Sequence, residues 1–324
     1  MGNYASYYLL PPAGRISWGK GMALGRAFAK LSTMSQSHAA DGRKEREFSL
    51  PIFTVTVLSA LLGFIVILGL VAPPAVWQAQ VSAKFWQYLV ALLAIKLVNC
   101  FVEYFFHRYL LHKPALPLLS YFYRQHTKHH ALTRIARRRL PGGREIPFVE
   151  NLYPITRPEQ REASFFPWYS LPVFALLMTP LLALLQWLLP SLPWLISGYA
   201  ALALSLSLYE VFHAIEHWPF EQWAPLIKSR WWGWLWRRAY SFHLRHHAVI
   251  DCNEAISGFF ALPVADWLFG TCVIPQTLYA DGEEWQATQF QSPRPRWIIR
   301  ACDRAVNALS KRRRARLHTG ASVG

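Results

Sequence analysis

The chain has 324 residues, about twice the ~150 that suggest a single soluble domain. Hydrophobic residues make up 53% and charged residues 16%, against roughly 25% charged in soluble domains, so general disorder is excluded. Four cysteines, none in a C-x-x-C pair, exclude a disulfide scaffold. The net charge of +16 argues for a positive-inside membrane protein and against a nucleic-acid partner, because the bases lie outside long apolar runs.

In chain order, residues 1–50 form a basic segment without the apolar core of a secretory signal. Arg15 to Leu31 has the make-up of a basic amphipathic helix, and Met1 to Ser6 matches a short myristoylation pattern. A membrane domain is expected over 51–276. Its spans, each of ~20 apolar residues, are expected at 52–72, 86–106, 166–189 and 194–212. Pro73-Pro74 stops the first, and Pro190 to Pro193 turns the third into the fourth. Phe259 to Ile274 is apolar but short and carries Asp266, so it reads as interfacial or packed against protein. Residues 277–324 read as a basic tail, with Lys311 to Arg316 solvated and drawn to anionic lipid.

Lysine and arginine counts orient the spans. Residues 1–50 hold seven, 73–85 one, 107–164 eleven, 190–193 none and 218–324 fourteen. Both termini and the long middle segment are therefore expected in the cytoplasm. The expected fold is an all-α integral membrane bundle of four transmembrane helices with a cytoplasmic helical cap.

Ten of the twelve histidines fall in three windows, 107–130, 213–217 and 243–247, which together span 34 residues. The spacings are H-x4-H (His107, His112), H-x2-H-H (His126, His129, His130), H-x3-H (His213, His217) and H-x2-H-H (His243, His246, His247). Residues three and four apart share a helix face, so three of these groups project to one side. Positions i and i+5 diverge by ~140° on an α-helix. His107 and His112 therefore converge only if the helix ends or distorts between them, and Pro114 follows closely. All ten fall on the expected cytoplasmic side, an agreement reached from charge alone.

Ten imidazoles exceed the four ligands of one structural zinc. Two redox metals with four or five histidines each would use the set and leave positions open for oxygen. Neutral ligands keep such a centre electron-poor and suited to attack on an unactivated C–H bond.

From Trp86 to Thr271 the sequence resembles the fatty acid hydroxylase/sterol desaturase superfamily of membrane non-haem di-iron enzymes. The resemblance rests on the order of the four histidine boxes, on Glu103-Tyr-Phe-Phe-His107-Arg-Tyr and on Asp266-Trp-Leu-Phe-Gly-Thr271. It implies a cap holding a histidine-rich di-metal site with His107, His112, His126, His129, His130, His213, His217, His243, His246 and His247 as ligands. It implies two iron ions, O2 as co-substrate, a membrane lipid substrate, and an external electron donor similar to cytochrome b5 or a ferredoxin. The expected activity is hydroxylation of a lipid C–H bond, in an acyl chain or an aminolipid such as ornithine lipid. A bacterial inner membrane is the expected location. The resembling family also contains lipid and sterol desaturases and carotenoid hydroxylases.

Glu103 and Glu210 stand four and three residues before a boxed histidine, placed to accept its other ring N–H. Glu103 is equally a partner for Lys96, seven residues earlier and buried in the second span. Asn253 follows the last box as an orienting group, a substrate contact or a turn. The segment between His130 and Phe165 holds Arg134, Arg137, Arg138, Arg139, Arg144, Arg157 and Arg161. It reads as positive-inside charge or as a basic lid, in which Arg137, Arg138 and Arg139 hold a lipid head group. Two other classes compete. His213-Ala-Ile-Glu216-His217 matches an inverted zinc-peptidase motif but leaves eight histidines unused. A metal transporter would place its ligands near mid-bilayer, not at the ends of the spans.

Overall fold

Runs of ~20 mostly apolar residues offer little surface to water, so they form helices that satisfy their own backbone groups. Four helices are long and apolar enough to cross a membrane: Pro51–Val71, Phe85–Leu111, Ser170–Leu188 and Trp194–Glu216. The computed structural model describes residues 50–113, 116, 119–131, 133–143, 145–151, 166–218, 220–275 and 290–320, with backbone alone for 50, 133–138, 146–151 and 313–320. These residues belong to one compact unit, Leu50–Gly324. The expected N-terminal helix, the myristoylation pattern, Arg144, Arg157 and Arg161 lie outside the described residues.

Helix α1 is Leu50–Val71, followed by the short α2, Pro74–Val81. Helix α3, Phe85–Phe106, runs directly into a π-helical turn, His107–Leu111. Helix α4 is Ser120–His130, α5 is Ser170–Leu188, and α6 is Trp194–Glu216. Then come α7, Phe220–Ile227, α8, Gly233–Ala248, α9, Val264–Phe269, and α10, Trp297–Gly320.

The four long helices share one apolar core. Leu171, Ala175 and Leu182 of α5 pack with Leu195, Tyr199, Leu202 and Leu206 of α6 and with Ala91 and Ile95 of α3. Their outer faces stay apolar: Leu58, Leu62 and Leu70 of α1 and Leu176, Leu177 and Trp187 of α5 are exposed. Such faces suit lipid and would not be stable against water.

Gly198 sets how closely α5 and α6 approach, since a Cβ there would run into the Leu182 side chain. At the opposite end from the histidines, two buried glutamines close the bundle. Gln80 accepts from the Leu195 and Ile196 amides at 3.1 and 3.2 Å, and Gln186 accepts from the Trp194 amide at 3.1 Å. Gln80 also donates to Gln186 at 2.8 Å. The first-turn amides of α6 lack helical partners, and these side chains supply them where water is scarce.

Beyond the histidine end of the spans, α7 and α8 pair through Trp223, Ile227, Tyr240, Leu244 and Ala248. The C-terminal part of α3 packs against α9 and α10 through Cys100, Tyr104, Ala265, Phe269 and Ile299. Helix α10 is thus part of the body, although its sequence reads as a tail.

One element departs from the all-α expectation. Strands β1, Thr133–Arg139, and β2, Glu145–Asn151, form an antiparallel hairpin. Gly142 and Gly143 adopt φ of +91° and +85° in its turn, which glycine accepts without strain. The register sets Arg134 opposite Glu150 and Arg139 opposite Glu145, so two acids of β2 stand across from two bases of the arginine-rich strand.

Candidate metal centre

Four structural elements deliver the ten histidines: the π-helical turn, α4, α6 and α8. His107 and His112 flank the π-helical turn. Its wider winding closes a bond from the His112 amide to the His107 carbonyl at 3.3 Å, a five-residue step in place of four. The i and i+5 side chains, which an α-helix would splay, therefore stack with ring centroids 5.0 Å apart. This is the distortion the H-x4-H spacing requires. Helix α4 carries His126, His129 and His130, and α8 carries His243, His246 and His247. His213 lies within α6, which runs four residues past the expected end of the span, and His217 caps it.

The ring nitrogens gather into two sets. His107, His112, His126, His130 and His246 form the first; His129, His213, His217, His243 and His247 form the second. Within each set the candidate ligand atoms lie within 4.8 Å of one another. Each H-x2-H-H box divides the same way: its i and i+4 residues serve one set and its middle histidine serves the other. Nine of the ten residues are buried and His112 is half-buried.

The proton inventory of the first set is fixed from behind. His107 Nδ1 lies 2.6 Å from the Glu254 carbonyl, and His246 Nδ1 lies 2.7 Å from the Cys252 carbonyl. A carbonyl only accepts, so both Nδ1 atoms carry the proton and both Nε2 atoms present a lone pair. His107 Nε2 faces His126 Nε2 at 2.9 Å, which also faces His112 and His130 at 3.2 and 3.0 Å. One N–H cannot serve three facing lone pairs. In the second set His129 Nε2 faces His213 and His217 at 3.0 and 3.2 Å, while His243 Nε2 faces His217 and His247 at 2.9 and 3.0 Å. A cation at the centre of each set would satisfy the converging ring nitrogens. Nitrogens around one ion at ~2.1 Å would span at most about 4.2 Å, so the donor sets fit a metal with small rotations of the rings.

Burial holds His112, His126, His129, His130, His217, His243, His246 and His247 well below the ordinary imidazole range, and neighbouring imidazoles add to the effect. At neutral pH these rings are uncharged and available as ligands.

Behind the first set stands a buried ionic chain that the sequence reading did not find. Glu254 Oε2 lies 3.8, 3.9 and 4.0 Å from ring nitrogens of His107, His246 and His112. Glu254 Oε1 accepts from Arg108 at 3.0 Å, and Arg108 also donates to both carboxylate oxygens of Asp303 on α10 at 3.1 and 2.9 Å. Burial pushes the Glu254 carboxyl well above the usual carboxylate range, against the pull of Arg108. Asp266 fixes this loop: its oxygens accept from the Glu254 amide at 3.0 Å, the Ala255 amide at 2.9 Å and the Thr271 hydroxyl at 2.7 Å. Asp266 and Thr271 open and close the D-W-L-F-G-T motif, so the motif holds the Glu254 carbonyl against His107. On the second set, Glu216 Oε2 lies 3.7 Å from His243 Nδ1. Its place inside H-x-x-E-H was the available signal.

The other expected site residues have different tasks. Glu103 accepts from the Ser257 amide and hydroxyl at 2.7 and 2.5 Å and from the Gly258 amide at 3.1 Å. It fixes a loop, where a histidine contact or a pairing with Lys96 was expected. Glu210 accepts from the Phe166 amide at 2.9 Å, which seats the start of the third span's lead-in on α6. Asn253, at φ +57°, donates to the Phe242 and Val273 carbonyls at 2.8 and 2.9 Å and accepts from the Val273 amide at 2.7 Å. It is the turn-forming alternative of the sequence reading. Arg137, Arg138 and Arg139 lie on β1; Arg139 is exposed, and the side chains of the other two fall outside the described residues.

No family model, curated protein or solved structure matches this chain.

Proposed function

We propose that the protein is an O2-dependent lipid hydroxylase of the bacterial inner membrane, with two iron ions held by the two histidine sets. One observation carries the reading: ten imidazoles converge as two sets of five at the ends of membrane-length helices, with Nε2 atoms facing one another at 2.9–3.2 Å.

When bound, the iron ions supply O2 reduction and abstraction of hydrogen from an unactivated C–H bond. The chain's own residues supply the rest. The Glu254 and Cys252 carbonyls hold the His107 and His246 tautomers, and the buried walls of α3, α4, α6 and α8 exclude water. A membrane lipid reaches the centre from between the spans, acyl chain first. The lysine and arginine excess of the segments outside the spans supports a site and termini on the cytoplasmic side, where a cytochrome b5-like or ferredoxin-like donor delivers electrons. A basic face suits an acidic carrier and an anionic or aminolipid head group.

The test compares lipid extracts, by mass spectrometry, from cells making the intact chain or the His129→Ala and His246→Ala forms. The expected result is a lipid heavier by one oxygen atom with the intact chain only, together with iron in the purified protein. A product lighter by two hydrogens would replace hydroxylation with desaturation. Product formation surviving in either variant would overturn the two-metal reading.

A further inference from the structure

Lys96 is fully buried in α3, and the polar groups that serve it come from a distant loop. Its ammonium donates to the Gly258 carbonyl at 2.7 Å and faces the Phe260 ring at 5.8 Å. The depth of this contact follows from helix geometry. Lys96 stands eleven residues from Phe85 and eleven from His107. That is about 16 Å from either end at 1.5 Å per residue, in a hydrocarbon layer ~30 Å thick. Glu103, which binds the Ser257 and Gly258 amides, is seven residues above Lys96 on the same face. Ser257 and Gly258, held by these two side chains, therefore lie alongside α3 between the levels of Lys96 and Glu103.

The turn is built as backbone in lipid must be built. The Phe259 amide donates to the Leu262 carbonyl at 2.8 Å, the Leu262 amide to the Phe259 carbonyl at 3.1 Å, and the Ala261 amide to the Ser257 carbonyl at 2.8 Å. With Glu103 serving two further amides and Lys96 one carbonyl, most of the turn's backbone groups are satisfied within the protein, as irregular backbone at membrane depth requires. Its tightness needs φ of +44° at Gly258, +54° at Phe260 and +65° at Ala261. A Cβ at Gly258 would meet the Leu262 carbonyl. Two successive non-glycine residues in the left-handed region are uncommon. The outward side chains are apolar: Phe260 and Leu262 are 41% and 48% exposed, and Trp267 and Leu268 of α9 are exposed beside them.

We propose that Ser257–Leu262 is a re-entrant loop inserted beside α3 into the acyl-chain region of the bilayer, its Phe260 and Leu262 side chains in contact with lipid tails. Lys96 and Glu103 are its brackets: one charge of each sign in the span, both spent on loop backbone. The loop leaves the first histidine set at Glu254, whose carbonyl binds His107, and so joins lipid contact to that set through the five residues between Glu254 and Phe260. The proposal rests on α3 crossing the membrane.

The test places the photocross-linking residue p-benzoylphenylalanine at position 260, or at 262 if the first variant does not assemble, in the full chain in phosphatidylglycerol–phosphatidylcholine nanodiscs. The same probe at Val66, exposed on α1, is the control. After irradiation, peptide mass spectrometry is expected to show a phospholipid adduct at both the loop and the control. An adduct at 66 with only intraprotein cross-links or none at the loop would overturn the re-entrant loop and leave the spans standing. Absence at both would overturn the membrane reading and the loop with it.

Discussion

The rings of His130 and His247 stack face to face, with centroids 4.1 Å apart and planes inclined by 18°, although the two residues belong to different histidine sets. Each is the i+4 member of its box. The stack is therefore the wall where α4 and α8 hold the two sets side by side, and neither set can be rebuilt without moving the other.

From this contact, loss of one ring is expected to disturb both sets. His130→Ala should lower metal content at the second set as well as the first. The His130→Ala/His247→Ala double variant should then lose less than the sum of the singles, as contacting residues do. Elemental analysis of purified protein reads this directly. Loss confined to one ion per chain in each single variant, adding in the double, would show the sets to be independent.

The spans were legible because uninterrupted apolar runs admit little else, and their expected bounds differ from the observed ones by a few residues. The H-x4-H spacing announced a distortion, and a π-helical turn meets it. The division of histidines between sets was not legible, since positions i+3 and i+4 share a face and only the partner helix decides which way each ring leans. Glu254 and Asp303 left no periodic signal: one sits in a loop, and the other on α10, whose Lys311-to-Arg316 run hides a packed first half containing Ile299. The hairpin was masked by its own charge, because arginines at strand positions read as positive-inside charge or a basic lid.

Glu254 offers a stability test. Arg108 and Glu254 are 4% and 0% exposed and 3.0 Å apart. Removing one partner of a buried pair weakens the compensation of the charge left behind, at a cost of up to about 3–5 kcal/mol. Glu254→Gln should therefore strongly lower the unfolding temperature in detergent. Asp303 is 21% exposed, so Asp303→Asn should cost less, on the order of 1–3 kcal/mol for hydrogen bonds to a charged group. Equal losses would mean that Arg108 is compensated chiefly from α10.

Asn253 separates backbone conformation from hydrogen bonding. Asn253→Gly keeps the positive φ but loses three side-chain bonds, while Asn253→Ala loses the bonds and adds left-handed strain of about 1–2 kcal/mol. The alanine variant should thus unfold at the lower temperature. The reverse order in a thermal melt would show that strain at this position is unimportant.

Acidification should destabilise the protein, and the sign follows from the direction of the shifts. Eight imidazoles outside the spans are held well below their usual range by burial. In the unfolded chain they titrate near ~6.5, so below that pH the unfolded state binds more protons. Their contribution is present above ~6.5 and is lost as pH falls toward the depressed folded values. Glu254 and Asp266, raised by burial, act with the opposite sign, but they are two carboxyls against eight imidazoles. Protons also compete with metal for the same nitrogens. Melting temperature and bound metal are therefore expected to hold steady above neutrality and to fall together as pH drops below ~6.5. A melting temperature that rises on acidification would mean the carboxyls dominate.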